Sequence, residues 1–553
     1  MKPLVLAAAF LLLAGACARP DRWGFFEQSL DRQLRKETAR PPDLPDIPEP
    51  GVTREPAFSM PEEGPLKLSV EQTIMLALRN NRDLHVRQLG PVIAGTFEQI
   101  ERGVFDPELF FELTYSEERA TQTARSTGTQ FDVEGSDTSA AAGVRQALPT
   151  GTTVEAAVEQ ERTASNRTPE QHSARLGLSI TQSLLRGFGP AVNLASVRQA
   201  ELDAVASLHE LRGFTEALVA DAETAYWNYV LAKKEIEIFE RSLQVAVRQR
   251  DEVELRIEVG ILPEIEAAAA RAEVARRRQA LIDARSLLEE RRLQLLRLIS
   301  PGPGGRLDYS VNTTSEPGIN PQPVSDLADR LDLAQEMRPD LKEARLRLQQ
   351  NRLETIVTRN GLLPRLDLFI ALGKTGFADS FSESFRAMEG NTYDFTAGVR
   401  LSHFVGNRAA EGRHLAGRAS RRQAAEALAN LEQVVRLDVR LAVNEAERTR
   451  QQISATRATR ILQEETLKAE EDRFDVGTST ALQVAQAQRD LLASRIAEVE
   501  AVVNYRIALI ELYLAEGSLL ERRGISVPAG AERGWLHSGD SEEGKGSAGG
   551  VTP

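Results

Sequence analysis

The sequence predicts a mixed helix-and-strand (α+β) protein in which one structural unit occurs twice in tandem. Two stretches, RIEVG from Arg256 and RFDVG from Arg473, repeat Arg, Val and Gly 217 residues apart. A second pair, LALRNNRDL at 76–84 and LAQEMRPDL at 333–341, recurs at an offset of 257. After each member of this second pair the apolar spacing changes from a helical period to a period of two. Landmarks that recur in a fixed order indicate an internal repeat.

The strands of each unit follow Pro107 and Pro364, which share the offset of 257. The segments DPELFFELTYS at 106–116 and RLDLFIALG at 365–373 alternate apolar and other side chains, as does TYDFTAGVRLSHF at 392–404. Alternation alone fits both a lipid-facing β-barrel and a soluble sandwich, and taken alone these strands favour the sandwich. The side chains predicted to share one apolar, lipid-facing side in a barrel are Leu109, Phe111, Leu113, Leu366, Leu368 and Ile370.

The helices reverse that preference. A helical pattern runs from about Pro190 to Val259, and roughly 70 residues at 1.5 Å per residue span about 100 Å. A compact domain does not contain such a helix. Ordinary antiparallel coiled coils share this helical pattern. Strands inserted twice between very long helices are much rarer, and this combination argues against a soluble sandwich.

Composition excludes several function classes. The chain has 553 residues, 68 Lys and Arg against 81 Asp and Glu, and a net charge of −13, which argues against nucleic acid as a partner. Its six His and one Cys show no zinc-like spacing, so no metal site or cofactor is expected. No catalytic constellation is present either, which predicts that the protein is not an enzyme.

The N-terminus predicts export. Residues 1–16 have a charged start and an apolar stretch too short to span a membrane. Ala14-Gly-Ala16 fits ordinary signal-peptide cleavage, whereas Leu13-Ala-Gly-Ala-Cys17 resembles a bacterial lipobox with Ala14 at the position where Leu is preferred. We favour lipidation of Cys17, because the only Cys of the chain lies where a lipobox needs it.

The remaining boundaries follow from composition and from the repeat. Within repeat 1 the strand region is longer than in repeat 2, and its surplus contains the turn signal Leu148-Pro-Thr-Gly151. This surplus is either an extra hairpin, giving six strands per protomer instead of four, or a long loop that folds back. The predicted segments are a Pro-rich linker (17–65), repeat 1 (66–300, strands about 106–185), an inter-repeat linker (301–323), repeat 2 (324–520, strands about 365–404) and a disordered polar tail (521–553).

The chain resembles the TolC family of outer-membrane efflux proteins. The resemblance covers residues 66–520, and it implies a homotrimeric β-barrel in outer-membrane lipid, continued by a long α-helical barrel in the periplasm. It also implies a channel that receives substrates from an inner-membrane pump and a periplasmic adaptor, in efflux or type I secretion. The motifs that carry it are LSVEQTIMLAL at 68–78, Asp-Leu at 83–84 and 340–341, Pro107, Pro364, ITQSLLRG at 180–187, AYWNY at 225–229 and the two Val-Gly pairs.

The Val-Gly pairs predict two helical hairpin tips, since Gly adopts the left-handed conformation without a Cβ penalty. In such a channel the gate is expected at these tips, where Asp472 and Asp475 are candidate gate residues. Ordinary solvated charges at a helix end are the alternative. The residues predicted to contact an adaptor are Val259, Gly260, Val476 and Gly477.

A function from another class shares most of these features. A lipid-anchored periplasmic coiled-coil scaffold without a pore would have the same export signal, helices and repeat. The two hypotheses differ over the apolar side of the strands, which a barrel exposes to lipid and a scaffold buries.

Without Pro where a last strand meets its helix, the bend is expected at Gly187 and Gly189, or at Gly406 and Asn407.

Overall fold

The computed structural model describes residues 65–123, 128–299, 307–318, 320–324 and 326–525. The predicted signal peptide, Cys17 and nearly all of the Pro-rich linker lie outside these residues. The chain forms two compact units. The described part of the first unit is residues 93–205 and 346–426, and that of the second unit is residues 65–92, 206–345 and 427–525.

The described strands are β1 (Leu66–Leu68), β2 (Glu108–Thr123), β3 (Gln130–Leu148), β4 (Thr152–Ser165), β5 (Gln171–Ser183), β6 (Val311–Thr313), β7 (Arg365–Ala378) and β8 (Asp394–Ser402). The described α-helices are α1 (Val70–Asn80), α2 (Arg82–Arg102), α3 (Pro190–Asn193), α4 (Ala195–Glu258), α5 (Ile265–Ile299), α6 (Leu327–Met337), α7 (Pro339–Asn360), α8 (Phe381–Ala387), α9 (Arg408–Asp475), α10 (Ala481–Glu516) and α11 (Leu519–Arg522). Among these helices, none combines the length and the apolar content that a bilayer-crossing helix needs.

The first unit contains one antiparallel sheet in the order β2-β3-β4-β5-β7-β8. Residues 138–162, which the sequence left as either an extra hairpin or a loop, lie in β3 and β4 and pair along their whole length, from Leu148 with Thr152 to Thr138 with Arg162. The surplus of repeat 1 is therefore a hairpin. The protomer contributes six strands to the sheet, four from repeat 1 and two from repeat 2.

The bends between the strands and the helices occur at the expected residues. Gly187 and Gly189 have φ angles of 85° and 92°, and Asn407 has a φ of 28°. The Asn193 side-chain amide donates hydrogen bonds to the Gly187 and Gly189 carbonyls at 2.9 and 3.1 Å, which fixes the first bend. Of the four predicted bend residues, Gly406 alone keeps a negative φ.

The core of the second unit is built around a two-stranded parallel sheet of β1 and β6. Tyr226 donates a hydrogen bond to the Leu68 carbonyl at 3.2 Å, and Tyr229 donates one to the Val311 carbonyl at 2.9 Å. These bonds attach both strands to α4. The predicted inter-repeat linker (301–323) is therefore wrong in part, because it contributes β6 to the core.

Two helices, α1 and α2, cover residues 70–102. The first starts at a capping box, in which Ser69 and Gln72 form bonds of 3.2 and 3.0 Å. The break between the helices falls at Asn81, whose side chain accepts a hydrogen bond from the Leu84 amide at 3.0 Å and so starts α2. Pro91 lies inside α2.

The polar tail begins later than predicted. Helix α11 extends to Arg522, Leu519 and Leu520 are fully buried, and Ile525 packs against the core. Residues 521–525 are therefore part of the fold, because Ile525 packs against the same core as Leu519 and Leu520. The remainder of the predicted tail, 526–553, lies outside the described residues.

A buried acid lies in the part of α4 that belongs to the second unit. Glu216 is 1% exposed, and burial raises its pKa to about 7 although the Arg212 Nε donates a hydrogen bond to it at 3.2 Å. On the preceding turns, burial lowers the pKa of His209 to about 4. Both groups are therefore mostly uncharged near pH 6, which limits the cost of burying them.

Candidate functional site: the apolar sheet face and the hairpin tips

The strand register brings one apolar side chain from every strand into a single row. Each member lies opposite the next across the ladder, so the row crosses the whole sheet without a polar side chain. Side chains on a strand alternate between two faces, and residues opposite each other in neighbouring strands share a face. The row consists of Leu109, Val144, Ala156, Leu178, Leu372 and Phe395.

All six predicted lipid-facing residues lie on the face of this row, which we name the apolar face. Leu109, Phe111 and Leu113 on β2 are 82%, 72% and 64% exposed. Leu366, Leu368 and Ile370 on β7 are partly buried against their neighbours, because β7 is flanked by strands on both sides whereas β2 is at the edge. Neighbouring strands contribute members that the sequence prediction did not name: Val144, Val154, Val158, Leu176, Leu178, Ile180, Phe395, Val399 and Leu401.

The opposite side of the sheet, which we name the polar face, carries the charged side chains. Within the apolar segment of each strand, every second residue points to this face, including Glu155, Asp367 and Asp394. Arg145 pairs with Glu155 at 2.7 Å, and Arg175 bridges Asp394 at 2.9 Å and Glu159 at 3.2 Å. Along their whole lengths the six strands place on this face the acids Glu108, Glu112, Glu118, Asp137, Glu155, Glu159, Glu161, Asp367 and Asp394 and the bases Arg145, Arg175, Arg365 and Arg400.

The first and last elements of the first unit lie at its edges. In the sheet the edge strands are β2 and β8. The helices of this unit follow the same order. Side chains connect α2 to α4 through Arg102 and Glu201 at 2.8 Å, and α4 to α7 through Asp203 and Gln350 at 2.6 Å. Helix α7 contacts α9 through Thr358, whose hydroxyl lies 3.3 Å from His414 Nδ1.

Exposed apolar side chains lie on both edge helices of this unit. On α2 they include Ile93, Phe97 and Ile100, and on α9 they include Leu415. An apolar edge on both sides of one layer is what a protomer shows when the same layer of another copy completes it.

The two predicted tips are helical hairpin ends in the second unit. Helix α4 ends at Glu258 and α5 begins at Ile265, while α9 ends at Asp475 and α10 begins at Ala481. Gly260 and Gly477 have φ angles of 78° and 79°, a left-handed conformation that a Cβ disfavours. Val259 and Val476, the predicted adaptor contacts beside them, are exposed, as are Ile261, Ile265 and Leu482.

An ion pair joins the two tips to each other. The Arg256 guanidinium of the first hairpin donates a hydrogen bond to Asp475 of the second at 2.7 Å, and it stacks on the Phe474 ring at 4.9 Å. The bond to Asp475 raises the pKa of Arg256. Asp475, a candidate gate residue, therefore has a structural partner. Sequence analysis missed this pair because the two residues come from different repeats.

Asp472, the other candidate gate residue, lies one turn before Asp475 and is exposed. Its carboxylate has no hydrogen-bond partner among the described residues. Burial raises the pKa of the nearby Glu471, and the carboxylates of Asp475 and Asp472 raise it further. The second tip thus has a negative electrostatic potential that Arg256 only partly offsets.

Within the described part of the chain, no group of three or more His, Cys, Asp or Glu side chains is arranged to hold a metal ion. What the two regions offer is a two-faced sheet, apolar on one side and charged on the other, and a pair of acidic hairpin tips.

Comparison with known proteins finds similarity to one family. Residues 331–518 match the family described as outer membrane efflux protein. The outer membrane protein OprJ of Pseudomonas aeruginosa is 25% identical over 367 residues, covering 64% of this chain and 72% of OprJ.

Two solved structures share the fold. The CmeC outer membrane channel of Campylobacter jejuni has a TM-score of 0.60 and 17% identity, over 84% of this chain and 89% of CmeC. The outer membrane protein VceC of Vibrio cholerae also has a TM-score of 0.60 and 17% identity, over 81% of this chain and 96% of VceC. The matched segment, residues 331–518, is thus similar to the outer membrane efflux protein family, the TolC-like family that the sequence resembles, and the fold is shared with two outer membrane proteins.

Proposed function

We propose that this chain is the protomer of a trimeric outer-membrane channel that passes substrates from an inner-membrane pump and a periplasmic adaptor, in efflux or type I secretion. The observation that carries the proposal is the apolar face. It crosses all six strands, and on β2 its side chains are up to 82% exposed. Water would disfavour such a face, whereas lipid favours it.

The rival hypothesis, a periplasmic scaffold, needs a second layer over the apolar face. Within the described residues the seven-residue helix α8 packs on it, near the end of β7 that leads to β8. Leu109, Phe111 and Leu113 remain uncovered at the other edge of the sheet. The apolar face therefore supports a membrane wall over a soluble sandwich.

Closure by three copies follows from the edges. An even number of antiparallel strands leaves β2 and β8 running in opposite directions, so β8 of one copy and β2 of the next can pair in the antiparallel way. Three protomers would then enclose about eighteen strands, and a closed barrel leaves no unpaired edge. On the helical side, α9 of one copy would meet α2 of the next.

The polar face would line the pore. Its nine carboxylates and four arginines keep such a lumen wet, and side chains repeated by symmetry focus their charge on the pore axis. A channel of this kind needs a closed wall and a gate, and no catalytic group.

The hairpin tips would receive the adaptor and hold the gate. Val259, Gly260, Val476 and Gly477 present a small apolar surface that a helical hairpin of the adaptor can cover. Asp472 and Asp475 would each occur three times around the axis. Lipidation of Cys17 would attach the mature N-terminus to the outer membrane, with the helices in the periplasm.

The direct test is purification of the mature protein in detergent, followed by planar-bilayer recording. Stepwise conductance from a trimer is expected. A matched pair of variants at the tip, Asp475→Asn and Asp472→Asn, checks that the current passes through this protein, since only the first removes the negative charge that pairs with Arg256. A detergent-free monomer that gives no current would favour the scaffold.

A further inference from the structure

A cavity of about 160 Å³ in the second unit is lined by residues of α4, of α10 and of the segment after α11. The lining residues are Glu223 from α4, Arg506, Leu509 and Tyr513 from α10, and Arg523, which directly follows α11. Since one water needs about 10–15 Å³ of a cavity, this one has room for a small polyatomic ligand. The lining includes no residue of the sheet or of the hairpin tips.

Glu223 brings a carboxylate to this cavity from the core of the second unit. It lies beside Ala222 and one turn before Trp227, both of which are buried, and it is itself 2% exposed. Its Oε1 accepts hydrogen bonds from Arg523 at 2.5 Å and from the Trp227 ring at 3.5 Å. The other oxygen, Oε2, is buried without a hydrogen-bond partner among the described residues. Because buried polar atoms are nearly always paired, Oε2 requires a donor that these residues do not supply.

The charges that line the cavity are mainly positive. Two guanidiniums, of Arg506 and Arg523, against the one carboxylate of Glu223 leave a net charge of +1. Arg506 is held in place by hydrogen bonds that its Nε and Nη2 donate to the carbonyls of Pro317 and Gly318, both at 2.8 Å. Its Nη1 has no partner in the described part of the chain. The cavity thus combines unused donors with one unused acceptor.

The charged groups around the cavity do not cancel this net charge. Arg522 stacks on the Tyr513 ring at 4.3 Å and forms an ion pair with Glu516 at 3.4 Å. Glu71 lies near enough to Arg523 to feel its charge, but it is exposed to solvent and does not line the cavity. The ligand that the cavity favours is therefore an anion that also carries a proton donor.

We propose that this cavity binds a protonated phosphate group. The two guanidiniums bind its charged oxygens, and its P–OH group donates to Glu223 Oε2, which supplies the missing partner. Inorganic phosphate keeps at least one P–OH group near neutral pH, whereas sulfate keeps none. The singly charged form of a phosphomonoester has the same two kinds of oxygen. The site goes beyond the proposed pore, and neither depends on the other.

Isothermal titration calorimetry of the purified mature protein in detergent tests the site. The titrants are sodium phosphate, sodium sulfate and glycerol 3-phosphate, in a Tris–chloride buffer at pH 7 and constant ionic strength. We expect one phosphate per protomer, and sulfate at least about a hundredfold weaker, because the Glu223 carboxylate repels an oxyanion that brings no proton. Competition between glycerol 3-phosphate and phosphate would show that the site takes phosphomonoesters, and its absence would show that the ligand is the free ion.

Two variants and a control assign the binding to these residues. Glu223→Gln replaces the carboxylate by an amide of similar shape that can donate, so this variant should bind sulfate and phosphate with similar affinity. Arg506→Gln should weaken phosphate binding roughly 10- to 100-fold, the range expected for one hydrogen bond to a charged group. Arg297→Gln removes an exposed charge of α5 and should bind phosphate as the unaltered protein does.

The proposal is overturned if phosphate gives no binding heat, or if the unaltered protein binds phosphate and sulfate equally. It is also overturned if Glu223→Gln, shown to be folded by its melting curve, still discriminates against sulfate. This last comparison decides the matter even where Arg506→Gln fails to fold. Conductance in planar bilayers tests the pore separately, so a conducting protein that binds no phosphate refutes the site alone.

Discussion

Replacing Leu178 with arginine would place a permanent charge in the middle of the apolar row. Leu178 lies between Ala156 and Leu372 in the register, and it is 40% exposed in the protomer. The adjacent residue, Ser179, points to the polar face and lies opposite Glu155. The variants Leu178→Arg and Ser179→Arg therefore differ by one position in sequence and by the face that receives the same charge.

The expected costs differ widely. An arginine that faces lipid at mid-depth destabilises a membrane barrel by about 2–4 kcal/mol. Loss of the leucine adds roughly 1 kcal/mol, since covering a whole leucine side chain contributes about 1.5–3 kcal/mol and 40% of Leu178 is exposed on the side proposed to face lipid. Leu178→Arg should thus cost about 3–5 kcal/mol. Ser179→Arg should cost less than about 1 kcal/mol, because the proposed pore is wet and a carboxylate lies opposite.

The assay is equilibrium urea unfolding of both variants in phospholipid vesicles, with the free energy of unfolding extrapolated linearly to zero denaturant. Unaltered protein and Ser179→Arg should unfold at similar urea concentrations, and Leu178→Arg at a clearly lower one. Equal destabilisation by the two substitutions, or a larger effect of Ser179→Arg, would refute the assignment of the faces.

Three further predictions concern the second unit. Gly477→Val should impair export without impairing assembly. A β-branched residue at φ 79° costs about 1–3 kcal/mol locally, but no heavy atom lies within 4 Å of the added Cβ. Normal transport by normally assembled protein would count against a role for the tip. Asp475→Asn should raise the open probability in single-channel records, because it removes the negative charge that pairs with Arg256. Asp472→Asn should leave gating unchanged and alter only ion preference. Identical gating effects of the two variants would argue against a role for the ion pair between the tips. Glu216→Gln should stabilise the protein more at pH 8 than at pH 5. A carboxyl whose pKa is raised from 4.5 to about 7 by folding does not lower the free energy of unfolding at low pH, but lowers it by up to about 3 kcal/mol above pH 7. A difference in melting temperature that does not change with pH would contradict this sign.

The sequence predicted the parts of the fold that depend on local pattern. The alternation that follows Pro107 and Pro364 predicted that Leu109, Phe111 and Leu113 share one face of the sheet, because alternation along a strand does not depend on which strand lies beside it. The Val-Gly pairs marked the tips for a similar reason, since Gly260 and Gly477 supply a backbone conformation that few other residues tolerate. The resemblance named the family to which residues 331–518 are similar.

The missed features depend on contacts between distant residues. Strands β1 and β6 have three residues each, too few to show a period, and they become strands only by pairing across 245 positions from Leu66 to Val311. Helix α8 is seven residues long, and only the close approach of Ser384 to Gly376 fixes it. The bond between Arg256 and Asp475 likewise requires the packing of one repeat against the other.

Three copies of the chain are proposed to close one pore whose wall is the six-stranded sheet of each protomer. A cryo-electron-microscopy map of the purified protein in lipid nanodiscs would show whether they do. We expect threefold symmetry, a closed barrel of eighteen strands, and the row from Leu109 to Phe395 facing the lipid. A single copy per nanodisc, or a barrel with that row turned toward the lumen, would contradict this proposal.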